Sequence, residues 1–471
     1  MANTKPARGM RDFLPSDVRK RNYVIGIIKE VYESYGFEPL ETPAVENIET
    51  LTGKYGEEGN QLIFKILKRG EKLDLNADEK DLADLALRYD LTVPLARVVA
   101  NHKNDLPKFF KRYQIQPVWR ADRPARGRFR EFYQCDVDAI GSSSMIVEAE
   151  LCAAVSEILT RLEFSSFAIH INNRKILTAI LDSSGIPFNK HTDALIALDK
   201  IEKIGPEKFQ EELLERGVEK QNIEKFGQFM AIIYAQMNES LNSNDIKTRK
   251  LFNETVIETI SNFIGEHKEG RSGLKELKEI FDYTGNNKHS FIDVALARGL
   301  SYYTGTIIEI TLVDENFKTD SDFAVSIGGG GRYDGLIGMF GKEQIPACGF
   351  SLGLERILVV MEERGIFQKL IDEGKLKLDS ADVLVTVWNE TSISESLKFA
   401  AELRCENLRV LVYPEADKLG KQFKYADSIK IPFVCVLGET ELAENKVTLK
   451  NLRTGEQETI ARDKASEKIK I

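Results

Sequence analysis

The chain has 471 residues, enough for roughly two to four domains with sizeable hydrophobic cores. Its formal net charge of −9 argues against a general affinity for nucleic acid, so we interpret any basic patch as a local binding surface for an anionic partner. The chain has five widely spaced cysteines and no CxxC pair, which argues against a disulfide framework or a structural zinc site. It has no long apolar run and no signal peptide, which predicts a cytoplasmic protein with no membrane segment.

The first segments in chain order predict a helix, an extended stretch and a second helix. Residues 17–35 carry apolar side chains at helical spacing, and Gly36 follows as a stop. The stretch GFEPLETPAVEN is punctuated by two prolines and reads as extended. In LRYDLTVPLARVVAN, Asp90 and Thr92 lie two residues apart, just before a helix that Pro94 can open.

A basic stretch, RADRPARGRFREFYQCDVD (residues 120–138), ends in alternating polar and apolar side chains. Alternate residues of a strand share a face. One face holds Tyr133, Cys135 and Val137, which can bury against a core, and the other holds Phe132, Gln134, Asp136 and Asp138, which is too polar for a core. The preceding KFFKRYQIQPVWR also alternates, so a long antiparallel hairpin is predicted.

Residues 108–130 hold eight Lys or Arg against one acid. An arginine-lined strand face beside acceptors suits a ligand with phosphates and an amine. A solvated basic hairpin is an equally good interpretation of this stretch alone.

The remaining chain divides by composition. A helix over 142–162 and a strand over 169–172 precede a Lys-, Glu- and Asn-rich region over 173–285, which predicts a mostly helical insertion. After a linker at 366–380, short β runs alternate with helical stretches, which predicts a compact α/β domain over 381–471.

The run GGGGRYDG is not followed by GK[ST], and it lacks the order of a dinucleotide fingerprint. Four glycines allow a ligand or another strand to approach the backbone closely. Taken alone, the run predicts a tight turn.

Two further motifs combine glycine with arginine. In LARGLSYYTGTIIEI, a guanidinium at Arg298 can reach phosphate oxygens, and the hydroxyl of Tyr303 can meet a ring nitrogen of either protonation state. In GFSLGLERIL, Arg356 in the first turn of a helix can stack on a purine ring. For LARGLSYYTGTIIEI the competing interpretation is a core tyrosine pair beside a surface arginine. For GFSLGLERIL it is an ordinary strand-to-helix junction.

Together these segments resemble the class II aminoacyl-tRNA synthetases, and among them the histidyl-tRNA synthetase family. ARGMRDFLP resembles its amino-terminal signature, GFEPLETP motif 1, VWRADRPARGRFREFYQCDVD motif 2 and GFSLGLERIL motif 3. LARGLSYYTG and GGGGRYDGL resemble the two histidine-specific signatures. The resemblance spans nearly the whole chain, and the order and spacing of the motifs carry it.

The resemblance implies an α+β fold: a class II catalytic domain with an antiparallel β-sheet flanked by helices, a helical insertion, and a C-terminal α/β anticodon-binding domain. The expected bounds are 1–172 and 286–365 for the catalytic domain, 173–285 for the insertion, 366–380 for the linker and 381–471 for the anticodon-binding domain.

The implied reaction joins L-histidine to the α-phosphate of ATP, supplied with Mg²⁺, and then passes the histidyl group to the 3′ end of tRNA(His). Most of this work is positioning and charge neutralisation. A homodimer built on motif 1, no tightly bound cofactor and no fixed metal site are expected.

The resemblance also assigns roles to residues. The expected catalytic residues are Arg120, which holds the α-phosphate and the substrate carboxylate, and Arg298, which supplies charge at the α-phosphate. The ATP site comprises Arg120, Asp122, Arg128, Phe132 and Arg356, with Phe132 and Arg356 on opposite sides of the adenine. The histidine site comprises Asp90, Thr92, Gln134, Asp138, Tyr302, Tyr303 and Arg298. Within it, Asp90, Thr92 and Gln134 take the ammonium group, and Asp138 and Tyr303 bracket the imidazole nitrogens.

The sequence departs from the family pattern in two ways. Asp90 and Asp122 stand where several class II enzymes have glutamate, so these shorter carboxylates reach their targets differently or through water. Ser301 stands where the family often has Asp, which bears on a contact behind Arg298 and Tyr303.

Other functions remain open on the sequence alone. Some relatives of this fold are regulatory subunits of histidine biosynthesis that lack the anticodon domain and the arginine at position 298; this chain retains both. A synthetase for another amino acid is disfavoured by the carboxylate–tyrosine pair. In the last domain, Lys418, Lys421 and Lys424 form a basic helix face that could meet the anticodon stem, with a solvated helix face as the alternative.

Overall fold

The computed structural model describes residues 4–52, 61–74, 76, 78, 81–241, 246–285, 287–297, 302–313, 326–341 and 343–470. The chain divides into two compact units, Met1–Lys369 and Leu370–Ile471.

The strands of the first unit are β1 (Glu38–Pro39), β2 (Val45–Asn47), β3 (Lys65–Leu67), β4 (Ala83–Leu87), β5 (Phe110–Trp119), β6 (Glu131–Ile140), β7 (Phe167–Asn173), β8 (Ser290–Ile292), β9 (Thr306–Leu312), β10 (Ser326–Arg332) and β11 (Ala347–Gly353). Its helices are α1 (Pro15–Ser34), α2 (Ile48–Leu51), α3 (Thr92–Asn101), α4 (Ile146–Arg161), α5 (Arg174–Ser183), α6 (His191–Leu198), α7 (Ile201–Glu215), α8 (Lys220–Leu241), α9 (Ile246–Ile264), α10 (Lys268–Tyr283) and α11 (Leu354–Glu363). Short 3₁₀ turns lie at Gly70–Lys72, Phe188–Lys190 and Ile337–Met339. Helix α12 (Ile366–Asp372) spans the division between the units and occupies the start of the predicted linker.

An eight-stranded sheet in the order β1-β5-β6-β11-β10-β9-β7-β8 forms the centre of the first unit. It is antiparallel from β5 to β7, and its two edge strands, β1 and β8, pair in parallel. Helices α1, α4 and α11 pack on one face. A separate three-stranded sheet has the order β2-β4-β3.

The long hairpin predicted from the alternating pattern is confirmed. Strands β5 and β6 pair from Phe110–Ile140 to Trp119–Glu131 without a register shift. The expectation that one face of β6 is too polar for a core is confirmed: Phe132, Gln134, Asp136 and Asp138 line cavities over the sheet. Gln134, Asp136 and Asp138 are nevertheless buried, and arginine, tyrosine and serine side chains from neighbouring segments meet them there.

The prediction of a tight turn for the glycine run is also wrong. The four glycines lie inside β10, in the middle of the sheet between β9 and β11. A Cβ on Gly330 would lie 2.2 Å from the carbonyl oxygen of Gly349, so only a residue without a side chain lets these strands approach. The close approach of another strand, which the sequence also suggested, is what the structure has.

Within the described residues from 174 to 283, helices α5 to α10 make up most of the chain, as its composition predicted. A break in α7 falls at Gly205–Pro206, where Gly205 has a φ of 80° and proline removes a backbone donor.

The second unit is an α/β domain, as predicted. Its strands are β12 (Val383–Val385), β13 (Val410–Val412), β14 (Phe433–Val436), β15 (Lys446–Asn451) and β16 (Gln457–Ala461), in the sheet order β13-β12-β14-β15-β16. Its helices are α13 (Ile393–Cys405), α14 (Leu419–Ser428), α15 (Glu439–Ala443) and α16 (Ala465–Ile469), with 3₁₀ turns at Glu390–Ser392 and Arg462–Lys464. Val383 and Val385 join one core and Leu384 joins the other. Burial on both faces explains the continuous apolar runs of the parallel strands.

Within the described ranges, the structure contains no helix of the length and hydrophobicity needed to cross a bilayer. The described residues also contain no cluster of three or more His, Cys, Asp or Glu side chains placed to hold a metal ion.

Candidate functional site

A cleft lies over strands β6, β10 and β11 on one face of the central sheet and comprises three adjoining cavities. The outer cavity is lined by all five residues of the predicted ATP site, Arg120, Asp122, Arg128, Phe132 and Arg356. The middle cavity, of about 730 Å³, adds Asp90, Thr92, Tyr302 and Tyr303 and shares Arg120 and Gln134 with the outer one. Its volume is in the range of small-molecule sites.

The third, inner cavity extends the cleft deeper into the sheet. It is lined by Thr92, Asp136, Asp138, Tyr303 and Tyr333 among others. The side chains therefore change along the cleft from arginines at the outer end to carboxyls and tyrosines at the inner end.

The loop of the β5–β6 hairpin brings Arg120 and Arg128 to the outer cavity. Ala125 and Arg128 exchange backbone hydrogen bonds of 3.1 and 2.9 Å, which closes a tight turn. Gly127 occupies this turn with a φ of 66°, a conformation that favours glycine. Arg126 Nε donates to Glu363 at 2.9 Å, which ties the turn to the end of α11.

Arg120 is oriented by its neighbours before any ligand arrives. Its Nε donates to the carbonyl of Tyr89 at 3.0 Å, and its guanidinium lies 4.3 Å from the Tyr89 ring centroid and 5.2 Å from that of Phe132. Arg356 donates to the carbonyl of Ser326 on β10. These contacts pre-organise charge at the edge of an aromatic surface.

Asp90 and Thr92 lie at the amino-terminal end of α3. Asp90 Oδ1 accepts the backbone N–H of Val93 at 3.0 Å, so this carboxyl also caps the helix. Thr92 hydrogen-bonds to the hydroxyl of Tyr302. The helix start therefore holds both side chains at the middle cavity.

The tyrosines supply neutral hydroxyls. Tyr302 packs edge-on against Tyr303, with ring centroids 5.2 Å apart, and against Tyr333 at 5.9 Å. Burial raises the pKa of all three tyrosines above the ordinary value, so they stay protonated at neutral pH.

Asp138 is held by two protein partners. The hydroxyl of Tyr333 donates to its Oδ1, and Arg112 Nη2 lies 2.7 Å from its Oδ2. Burial raises the pKa of Asp138, and the positive charge of Arg112 opposes that rise. Asp138 thus lines the inner cavity as one member of a buried Arg–Asp–Tyr group.

Of the predicted site residues, Arg298 lies outside the described part of the chain. Ser301, which stands where the family often has Asp, also lies outside it. The other eleven line the three cavities described above.

Sequence reasoning missed Arg112, Tyr333 and Ser351. It counted Arg112 within the basic hairpin, whereas the structure buries this side chain completely beneath the cleft. Arg112 and Asp138 pair directly across β5 and β6, so extending the alternation to the first strand would have found this contact. Tyr333 and Ser351 come from distant segments, and no local pattern marks them.

An arginine-rich cleft on an antiparallel sheet, combined with a separate α/β unit, defines a class II aminoacyl-tRNA synthetase. Comparisons with known proteins agree: residues 9–357 match the histidyl-tRNA synthetase family, and residues 382–470 match the anticodon binding domain family. The chain belongs to the histidyl-tRNA synthetase family.

Individual relatives cover nearly all of the chain. It is 40% identical to the histidine–tRNA ligase of Christiangramia forsetii over 96% of both chains, and 40% identical to that of Flavobacterium johnsoniae over 97% of both. Among solved structures, histidyl-tRNA synthetase from Nostoc sp. superposes with a TM-score of 0.77 at 33% identity, covering 100% of this chain and 99% of that one.

Proposed function

We propose that this protein is a histidine–tRNA ligase that forms histidyl-adenylate and pyrophosphate from L-histidine and ATP, and then transfers the histidyl group to the 3′ end of tRNA(His). The observation that carries this proposal is the continuity of the cleft. Arg120 and Gln134 line both the outer and the middle cavity, so two substrates bound there would meet beside Arg120.

The outer cavity suits ATP. Phe132 offers a ring to the adenine, and Arg120, Arg128 and Arg356 offer guanidinium groups to the phosphates. Arg120 is the proposed ligand of the α-phosphate and the histidine carboxylate. It lines both cavities, as Arg128 and Arg356 do, and its guanidinium lies 5.2 Å from the ring centroid of Phe132, the proposed adenine contact. Charge placed in advance at a reacting phosphate stabilises the transition state without reorganisation.

Magnesium enters this scheme as part of the ATP substrate. Asp122 is a partly exposed carboxyl on the wall of the outer cavity. Carboxylate oxygens and water are the ligands that Mg²⁺ prefers, so Asp122 can meet the metal directly or through water.

The middle and inner cavities suit histidine. Asp90, Thr92 and Gln134 provide oxygen acceptors for the ammonium group at the cavity that adjoins the ATP site. Asp138 and Tyr303 line the inner cavity, where the imidazole ring would lie. A pocket that hydrogen-bonds both ring nitrogens rejects side chains without them, since buried polar groups would be left unpaired.

The proposal extends to the partners. The second unit matches an anticodon-binding family, and Lys418, Lys421 and Lys424 are exposed at α14, although Lys421 also pairs with Asp417 at 2.7 Å. A cytoplasmic homodimer built on motif 1 is part of the same proposal, and β1, which belongs to that motif, lies at the edge of the large sheet.

ATP–pyrophosphate exchange with each of the twenty amino acids, in the presence of magnesium, tests the function. Exchange with histidine alone is expected, followed by aminoacylation of tRNA(His). A folded protein that binds ATP but exchanges with no amino acid would instead favour a regulatory subunit, and a biosynthetic partner would be sought.

Arg298 is the proposed second catalytic residue. Arg298→Ala should fold normally and lose roughly a hundredfold or more in the rate of histidine activation, the scale of one pre-organised charge-stabilising group. Near-normal turnover in that variant would falsify the assignment.

A further inference from the structure

Arg112 is a fully buried arginine beneath the cleft to which the proposed reaction gives no role. It lies on β5, directly across from Asp138 on β6, and is 0% exposed. Burying a charge is costly unless acceptors meet it. The acceptors around Arg112 therefore indicate what this side chain does.

One nitrogen of Arg112 reaches two different elements of the cleft. Nη2 lies 2.7 Å from Oδ2 of Asp138 and donates to the backbone carbonyl of Leu91 at 3.3 Å. Asp138 is the proposed imidazole contact. Leu91 stands between Asp90 and Thr92, two of the proposed ammonium contacts. Arg112 therefore joins the two ends of the proposed histidine pocket, which come from distant parts of the chain.

The guanidinium of Arg112 is itself held from behind. Nη1 donates to Gln114 Oε1 at 3.3 Å, and Gln114 Nε2 donates to Thr42 Oγ1 at 2.9 Å. Gln114 and Thr42 are buried as well. A guanidinium is planar and directs its donors rigidly, so a guanidinium that is held in place fixes the positions of its acceptors.

We propose that Arg112 is a positioning residue of the histidine pocket, which sets the spacing between Asp138 and the start of α3. This inference rests on the proposed function. Because Arg112 is completely buried, it acts on the ligand through Asp138 and the Leu91 carbonyl. The ammonium group and the imidazole of histidine are separated by a short side chain, so its affinity depends on the spacing of the groups that bind its two ends.

Arg112 also bears on the protonation of Asp138. Burial raises the pKa of this carboxyl, and the positive charge of Arg112 opposes the rise. The other charged and titratable groups that face Asp138 are Asp136, Cys348, Tyr32, Tyr303 and Tyr333. Without the charge of Arg112 the pKa of Asp138 rises further, and a protonated carboxyl is a poorer acceptor for an imidazole N–H. The loss of histidine binding in a variant without this charge should therefore shrink as the pH rises.

The test is ATP–pyrophosphate exchange by the full-length wild-type protein, Arg112→Lys and Arg112→Gln between pH 6.5 and 8.5. Arg112→Lys keeps a charge but loses the planar group, so KM for histidine should rise roughly ten- to a hundredfold, with KM for ATP nearly unchanged. Arg112→Gln also removes the charge. Its KM for histidine, divided by the wild-type KM at the same pH, should fall as the pH rises, whereas this ratio should stay constant for Arg112→Lys. The ratio removes the titration of free histidine, which is common to all three proteins.

Arg249→Lys is the matched control. Arg249 is also buried, at 2% exposed, but it lies on α9 beside Phe291 of the edge strand β8. This variant should keep the wild-type KM for both substrates even where its melting temperature falls. A purely structural role for Arg112 would lower the melting temperature without a pH-dependent ratio. If Arg112→Gln fails to fold, Arg112→Lys carries the test through the difference between its two KM values.

The inference is overturned, with the proposed function intact, if the wild-type protein exchanges with histidine and Arg112→Lys keeps its KM for histidine or raises both KM values equally. A pH-independent ratio in a folded Arg112→Gln overturns it as well. A wild-type protein that does not exchange with histidine overturns both the inference and the proposed function.

Discussion

Removing the carboxylate of Glu148 should destabilise the first unit by about 3 kcal/mol. Nε and Nη2 of Arg332 each donate to Glu148 at 2.7 Å, and the two side chains are only 5% and 0% exposed. Breaking a buried ion pair by removing one partner costs about 3–5 kcal/mol. Arg332 Nη1 keeps the Ser142 carbonyl at 3.0 Å and Asp334 at 3.3 Å, which places the expected loss at the lower end.

Urea unfolding can measure this loss in the first unit alone. The chain has two tryptophans, Trp119 in the first unit and Trp388 in the second, so in a Trp388→Phe background the fluorescence follows the first unit. The matched control is Glu343→Ala, which breaks an exposed pair with Lys103 (2.6 Å apart) and should cost about 1 kcal/mol or less. Equal losses for Glu148→Ala and Glu343→Ala would refute the reasoning.

The same pair also supports the histidine pocket, since Tyr333 follows Arg332 and donates to Asp138. Glu148→Ala should therefore raise KM for histidine more than KM for ATP. The double variant Glu148→Leu, Arg332→Met should recover part of the stability, because it leaves no charge buried alone. A double variant less stable than Glu148→Ala would contradict this account.

Three further outcomes are expected. Gly330→Ala should abolish stable folding, because its Cβ would lie 2.2 Å from the Gly349 carbonyl oxygen. As a control, Gly335→Ala has open space around the new Cβ and should have the melting temperature of the wild-type protein. A soluble Gly330→Ala variant with an unchanged melting temperature would contradict the strand packing. Burial raises the pKa of Glu355 from 4.5 to about 7, so the folded state prefers the protonated carboxyl. The resulting contribution to the free energy of unfolding is fully present below pH 4.5 and is lost as the pH rises through 7. In urea titrations across this window, Glu355→Gln should lack roughly 3 kcal/mol of that pH dependence, and a parallel profile would refute the shift. Phe132→Ala should raise KM for ATP roughly 5- to 150-fold in the exchange assay, from about 1–3 kcal/mol of lost base stacking, and an equal rise in KM for histidine would argue against an adenine contact.

Local patterns in the sequence determined much of the fold. The alternation across residues 108–138 predicted the β5–β6 hairpin, and the repeated β runs after residue 381 predicted the α/β unit. They did so because strand and helix periods are properties of neighbouring residues. The antiparallel strands β15 and β16 were not among the β runs identified from the sequence, since their side chains are largely polar and none of those on β16 is buried.

The chemistry of the site was partly readable in the same way. Arginines of the hairpin loop and the polar pair at Asp90 and Thr92 were predicted from motifs, and the structure places them along one cleft. Their assigned contacts with ATP and histidine remain predictions.

Only the tertiary structure decided which polar groups are buried and what they meet. Arg112 was counted among the eight basic residues of the hairpin, for which a ligand-binding face and a solvated face were both open, yet it lies buried beneath the cleft beside Asp138. Glu148 and Arg332 are 184 positions apart, and the glycines of β10 become strand residues only because β9 and β11 enclose them. A strand pattern specifies which side chains share a face but not what covers that face. The free energy of burying a charge depends on partners that distant segments bring to it.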